Sequence, residues 1–502
     1  MVCGASSNAG KSTLVAGICR HYARGGLRAA PFKAQNMANN SSVTASGHEI
    51  ARAQAWQAMA AGVEADVAMN PVLLKPTGSN RCQVVVMGRP VGIMSAVEYH
   101  RYKPELMDTV LAALQDLRSR FDVVVLEGAG SPAEINLLDS DIVNLRLAHA
   151  AGVPAVVVGD IDLGGVFAAL YGTVALLPDE YQRLIRGFII SKMRGDPGLL
   201  LDGPSMLEQR CGVPTIGVIP WRGGPEIDSE DSLALERPLG EPTSGGVDGN
   251  DLLDVAVVRL PHIANFTDID PLRVDPCVAL RWVDDPRAVG QPDLLVLPGS
   301  KSTVADLEWL RERGLDRAVT TAKGTLLGIC AGYQMLGGRI EDPERVESDV
   351  AFVEGLGLLD SSTRFTVDKV TRWRHGRAFG QPVRGYQIHH GVVEAAGPPL
   401  VDLDGGGVDG TVGRTGAGGL VWGTTLHGLM ESDGVRKEML YAVARRAGKQ
   451  VASAGSFEMA RQERIDGWAD SVEAHVDLDA LDEILNSASV PAGVSSRARS
   501  PR

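Results

Sequence analysis

Short apolar runs, each followed by a glycine-rich or polar turn and then a stretch of helical spacing, recur along the 502-residue chain. In the first half the runs at 29–32, 122–126, 155–158 and 187–190 read as strands, and helices are expected after residue 13, from about residue 50, and over 105–120 and 203–211. Residues 236–251, ERPLGEPTSGGVDGND, break the rhythm and read as a linker. A second series then opens with strands at 253–260, 278–283 and 294–297, reaches Leu326–Ile329, and passes directly into the helical spacing of Tyr333-Gln334-Met335-Leu336. Strands alternating with helices imply parallel sheets covered on both faces. The expected architecture is therefore α/β, with two doubly wound domains at 1–235 and 252–445. A helical extension follows at 446–485, and the low-complexity tail at 486–502 is expected to be disordered. The uncharged run 163–177 is too short to span a bilayer and reads as a buried helix.

Composition narrows the possibilities without changing this picture. Hydrophobic residues make up 44% of the chain and charged ones 22%, as in an ordinary water-soluble protein. A net charge of −13 leaves no electrostatic footprint for nucleic acid, and no stretch calls for a membrane. Six cysteines (3, 19, 82, 211, 277 and 330) are scattered with no CxxC pair, which argues against zinc and against a disulfide framework. With no signal peptide at the start, the expected compartment is the cytoplasm.

The first chemistry appears at once. Gly4-Ala5-Ser6-Ser7-Asn8-Ala9-Gly10-Lys11-Ser12-Thr13 has the form of a phosphate-binding loop opening a helix. Its glycines let backbone N–H groups converge on phosphate oxygens, Lys11 adds charge at the outer phosphates, and Ser12 is placed to hold Mg²⁺. One residue longer than the usual pattern, the loop resembles that of dethiobiotin synthetase and its relatives. Such loops hang from a buried strand, yet only three residues precede Gly4, so the expectation is a first strand clipped at its start. Beyond the next strand, Lys33 is expected to face the transferred phosphate and Asn36 the nucleotide or substrate. Glu127, ending the apolar run 123–126, and Glu49, opening a helix, are the candidate acids for the Mg²⁺ shell.

In the second half the candidate nucleophile is Cys330, in Thr325-Leu326-Leu327-Gly328-Ile329-Cys330-Ala331-Gly332. Strand, tight turn and helix in succession make an elbow that needs small neighbours, and a helix N-terminus favours thiolate over thiol. A preceding loop, Pro298-Gly299-Ser300-Lys301-Ser302-Thr303, offers backbone N–H groups of Gly299 or Ser300 to an oxyanion. The base is one of two histidine sites, His389 in Tyr386-Gln387-Ile388-His389-His390-Gly391 or His427 in Gly423-Thr424-Thr425-Leu426-His427-Gly428; spacing does not choose between them.

The elbow, the PGSKST loop and GTTLHG together resemble a class I glutamine amidotransferase domain. That resemblance implies glutamine as nitrogen donor, Cys330 as nucleophile and His427 as its proton relay. Many members carry an acid two residues after the histidine. Leu429 stands there instead, so either a dyad or a distant acid such as Glu431 is expected. Over roughly 1–485 the chain is similar to the cobyric acid synthase family, through APFKAQNMANNS, RAQAWQA, MNPVLLKP, EYHRYKPEL, VVLEGAGSPAEINL, GDIDLGGVFA and RGYQIHHG. This implies ATP, Mg²⁺ and a corrinoid acceptor whose b, d, e and g carboxylates are amidated.

The residues support the same logic independently. Ammonia does not displace oxide from a carboxylate, but it does displace phosphate, so an ammonia-producing thiolate joined to a phosphoryl-transfer domain suits amide formation. The alternatives are an a,c-diamide synthase of the same family and, more distantly, a partitioning-type ATPase switch, which would leave Cys330 and GTTLHG without a role. Oligomeric state is left open.

Overall fold

A computed structural model of the chain describes residues 1–77, 81–223, 228, 252–453 and 455–488. The expected linker at 236–251 and almost all of the expected tail lie outside the described residues.

Two parallel sheets organise the molecule. In the first half, Val2–Gly4, Ala155–Asp160, Ile185–Met193 and Thr215–Pro220 run parallel in that order. The parallel pair Ala29–Phe32 and Val123–Leu126 lies on the far side of Val2–Gly4, joined by a bridge from Val2 to Glu127. Helix Lys11–Arg24 covers this sheet with Leu14, Val15 and Ile18, all buried. All six residues of Ala155–Asp160 are buried, as a central strand covered on both faces requires. A smaller sheet of Gln35–Met37, Val72–Pro76, Arg81–Val86 and Arg89–Ser95 is inserted after the second strand. Its antiparallel pairings were not anticipated.

In the second half the strand order is Val278–Val283, Leu253–Val258, Leu294–Leu297, Thr325–Ile329 and Leu420–Thr424, all parallel, with Thr411–Arg414 antiparallel at the edge. Placing Leu420–Thr424 beside Thr325–Ile329, in register Ile329 to Thr424, brings two distant segments to the same sheet end. A long hairpin, Ser361–Ala378 with Gln381–Ala395, stands beside that end.

One expectation is corrected. The run 163–177 yields helix Val166–Ala175, which buries Val166, Leu170 and Val174 but leaves Tyr171, Leu176 and Leu163 exposed. A helix flanking a sheet needs only one apolar stripe, and absence of charge does not bury the other face. The segment 446–485, expected as a helical extension, forms helices Phe457–His475 and Leu478–Asn486. Helix Phe457–His475 returns to the first half and lies along helix Lys11–Arg24, where a Cβ on Gly17 would come within 2.8 Å of the Trp468 carbonyl oxygen. Arg20 pairs with Asp466 at 2.8 Å, Arg24 with Asp470 at 2.7 Å, and Val476 bridges to Gly217 at the sheet edge. No helix among the described residues is long and apolar enough to cross a membrane.

Candidate functional site

The strand Val2–Gly4 delivers the chain into the glycine loop at the C-terminal end of the first sheet. Asn8 (φ 57°) and Gly10 (φ 89°) take left-handed conformations there, which fold the loop back on itself. Gly4 lies beneath the lysine, and a Cβ on it would sit 2.8 Å from Lys11 Nζ. Lys11 donates to the carbonyls of Ser6 (3.1 Å) and Gly130 (3.3 Å). Glu127 is the hub of the site. Its carboxylate, 1% exposed, accepts from Ser12 Oγ at 2.8 Å, Lys33 Nζ at 2.9 Å and Gln57 Nε2 at 2.5 Å. Asn36 donates to Gln54 at 2.9 Å, and Gln54 in turn to Gln57 at 3.2 Å. A cavity of about 730 Å³ opens over these groups, with Gly10, Lys11, Ser12, Thr13, Lys33, Asn36 and Glu127 in its wall. Trp468, from the returning C-terminal helix, is part of the same wall. Gln57 and Trp468 were not anticipated.

Glu49 is not part of this site, which corrects its expected metal role. It is buried between Lys75 and Lys369, each 2.5 Å away, and these two ammonium groups hold its carboxyl well below the usual range against the opposing effect of burial. Ser12 and Glu127 remain as two hard oxygen donors 2.8 Å apart. That donor set fits Mg²⁺, which takes one or two protein oxygens and completes its shell with phosphate and water.

Cys330 sits between Thr325–Ile329 and helix Ala331–Leu336 with φ 51° and ψ −110°. A side chain held at positive φ costs on the order of 1–3 kcal/mol and marks a position that the surroundings enforce. Those surroundings are the glycines: a Cβ on Gly332 would collide with the Leu297 carbonyl, and one on Gly328 would lie 2.9 Å from the Gly332 backbone. Cys330 N–H donates to Thr424 O at 2.8 Å, fixing the elbow to the strand that leads to His427. Asp409 stiffens that strand end by accepting from the Thr425 N–H at 3.1 Å and from both the Thr424 and Thr425 hydroxyls.

His427 is 2% exposed, and its Nδ1 lies 2.6 Å from Asp268 Oδ2; the Gly428 N–H donates to the other oxygen of Asp268 at 2.8 Å. Burial pulls the imidazole pKa down, but Asp268 and Cys330 outweigh it and push the pKa up to about 10. The ring of Tyr386 stacks on His427 with centroids 5.4 Å apart. Asp268 therefore supplies the orienting acid that the position of Leu429 lacks. Glu431, the distant candidate, is instead engaged with Arg52 at 2.7 Å and Arg461 at 3.1 Å. Asp268 lies on the one-turn helix Phe266–Ile269, 159 residues before the histidine, and only its place in the apolar string Phe266-Thr267-Asp268-Ile269 hinted at burial.

Cys330, His427, Gly299, Ser300, His389 and His390 wall one small cavity of about 40 Å³, shared with Asn39 and Lys75 from the first half. A Cβ on Gly299 would be 3.3 Å from His427 Cε1 and 3.8 Å from Cys330 Cβ, so this loop closes on the pair. The Ser300 side chain is turned away and donates to Asp306 at 2.6 Å. His389 Nδ1 bonds Gly391 O at 2.6 Å, and burial pulls its pKa down to about 4, so it stands neutral beside the pair.

Comparison with known proteins agrees with this geometry. Residues 1–232 match the CobQ/CobB/MinD/ParA nucleotide binding domain, and residues 254–435 match the CobB/CobQ-like glutamine amidotransferase domain. A protein of Nocardia farcinica named cobyric acid synthase is 50% identical, the match covering 97% of this chain and 96% of the relative. One of the same name in Streptomyces coelicolor is 49% identical, over 97% and 96%, and one in Photorhabdus laumondii 45%, over 96% of each. Identity at this level, sustained across both halves, shows that the chain belongs to the cobyric acid synthase family.

Proposed function

We propose that this chain is a cytoplasmic ATP- and glutamine-dependent amidoligase of cobalamin biosynthesis that converts adenosyl-cobyrinic acid a,c-diamide to adenosyl-cobyric acid by amidating the b, d, e and g carboxylates. The observation that carries the reading is the presence, in one chain, of the Cys330–His427–Asp268 constellation and the Lys11–Ser12–Lys33–Glu127 phosphate site.

In the amidotransferase half, the Cys330 thiolate adds to the carboxamide carbon of glutamine. Gly299 and Ser300 are positioned for their backbone N–H groups to receive the developing oxyanion. The His427 imidazolium, held in orientation by Asp268, gives its proton to the departing nitrogen, and ammonia leaves a glutamyl thioester. Water then gives a proton back to His427 as it cleaves the thioester, releasing glutamate and regenerating the thiolate.

In the other half, Lys11 and Lys33 stabilise the charge of a phosphoryl group in transit to the acceptor carboxylate, and Asn36 orients the reactants. Ser12 and Glu127 would hold Mg²⁺, which when bound neutralises phosphate charge. Ammonia attacks the resulting acyl phosphate and phosphate departs, leaving the amide. Because Asn39 and Lys75 close over the cavity at Cys330, a path shielded from solvent between the halves is part of this reading.

The test is incubation with the a,c-diamide, ATP, Mg²⁺ and glutamine, followed by mass spectrometry. Four successive hydroxyl-to-amide mass changes support the proposal. In a parallel incubation with cobyrinic acid itself, amidation only at the a and c positions would establish the diamide synthase instead.

A further inference from the structure

We propose that Trp468, on the helix that follows the amidotransferase half in the chain and returns to the first half, stacks on the purine base of ATP, so that the C-terminal segment completes the nucleotide site. This rests on the ATP-dependent amidoligase reading above and names the residue that recognises the base.

The order of strands divides the large cavity into two sides. The glycine loop hangs from Val2–Gly4, which lies between two groups of strands. On one side Ala29–Phe32 and Val123–Leu126 end in Lys33 and Glu127, where the phosphoryl group passes to the acceptor carboxylate. The segments after those strands carry Met37, Leu137 and Leu138 into the same wall. On the other side Ile185–Met193 contributes Ser191 and Lys192, and Thr215–Pro220 runs out into Trp221 and Arg222, all of them in the cavity wall. ATP gives up its outer phosphate, so with the acceptor on the Lys33 side the base, at the opposite end of the nucleotide, falls on the Trp221 side. Ligands of doubly wound sheets lie in this way, along the carboxyl ends of the strands.

Helix Phe457–His475 adds Arg464, Trp468 and Val472 to the wall. The Trp468 ring is held in place before any ligand arrives. It packs against the apolar cluster of Trp56 and Ile465 and against the one that contains Ile219 and Val472. Arg222 grips the same turn, donating to the Gly467 carbonyl and standing 5.8 Å from the centre of the Trp468 ring. A Cβ on residue 467 would collide with that guanidinium, which is why glycine precedes the tryptophan. The indole is nevertheless only half-buried, and a fixed aromatic face in a cavity wall suits the flat face of a base. Of the two tryptophans on this side, Trp221 already carries the Arg194 guanidinium 4.2 Å from its ring centre, so Trp468 is the available platform. A second observation points to a ligand here. Trp56, 5% exposed, also lines the cavity, and its Nε1 has no hydrogen-bond partner among the described residues. A buried indole N–H without an acceptor is uncommon, and a ring nitrogen of the base or a ribose hydroxyl would supply one.

The experiment compares the binding of ATP and of inorganic tripolyphosphate, each with Mg²⁺, to the full chain by calorimetry. Trp468→Leu keeps the apolar packing and removes the ring. Its Kd for ATP is expected to rise about tenfold, as for the loss of an aromatic–base stack, while that for tripolyphosphate, which has no base, stays within about twofold. Trp468→Phe is expected to recover most of the ATP affinity. Should W468L not be recovered folded, fluorescence decides: ATP, but not tripolyphosphate, is expected to quench the tryptophan emission of the wild type, and the quench to shrink in W468F. Equal losses of ATP and tripolyphosphate affinity in W468L would show a merely structural role and overturn the inference. So would an unchanged ATP affinity in W468L, a quench that W468F leaves intact, or a wild type that binds tripolyphosphate as tightly as ATP. A wild type that binds neither ligand would overturn the amidoligase reading itself, so the two failures are distinguishable.

Discussion

Asp268 Oδ2 lies 2.6 Å from Nδ1 of His427, and the same carboxylate takes up the N–H of Gly428, so one acid fixes both the ring and the backbone of the proposed proton relay. Asp268→Asn keeps the shape but removes the charge that holds the imidazolium. Glutamine-dependent turnover is expected to fall by about 10²–10⁴-fold, the range of a general acid–base contribution, while ammonium-dependent turnover remains. Parallel steady-state assays with the two nitrogen sources check this.

The same pair has a pH signature. The His427 pKa is raised from 6.5 to about 10, so the stability that it contributes is fully present below pH 6.5 and is lost as pH rises toward 10. In urea titrations across that window, the stability difference between wild type and Asp268→Asn is expected to shrink with rising pH. A difference that stays constant would remove Asp268 as the source of the shift.

His389 and His390 behave in the opposite sense. Burial pulls both pKa values down to about 4, so the folded state keeps them neutral where the unfolded chain is already protonated. Unfolding takes up protons between pH 6.5 and 4, and stability falls with acidity over that window. His390→Gln is expected to flatten the slope, measured as thermal midpoint against pH.

At the phosphate site, Lys11→Ala is expected to suppress amidation with either nitrogen source by at least about 10²-fold, because carboxylate activation precedes both routes. ATP-dependent formation of inorganic phosphate is the readout. Persistence of amidation would contradict the assignment of the glycine loop.

Much of this was legible from local chemistry. The glycine loop, the Cys330 elbow and the strands flanking them are each written within a dozen residues, where periodicity, glycine and charge act directly on the backbone. What escaped was non-local. Asp268 reaches His427 only because the loop after strand Leu253–Val258 folds over the end of Leu420–Thr424, and no spacing rule spans 159 residues. Glu49 looked like a metal ligand because an acid opening a helix after a strand suits one; its partner Lys369 lies 320 residues away in the other half. The return of helix Phe457–His475 depends on Gly17, whose missing side chain lets two helices approach closely, and that becomes visible only once both are in place.

The central claim is that Cys330 supplies nitrogen to a carboxylate activated in the other half of the chain. Cys330→Ala, assayed with corrinoid, ATP and Mg²⁺, tests it most directly: amidation with glutamine is expected to vanish and amidation with ammonium chloride to continue near the wild-type rate. Undiminished use of glutamine by that variant would contradict the claim.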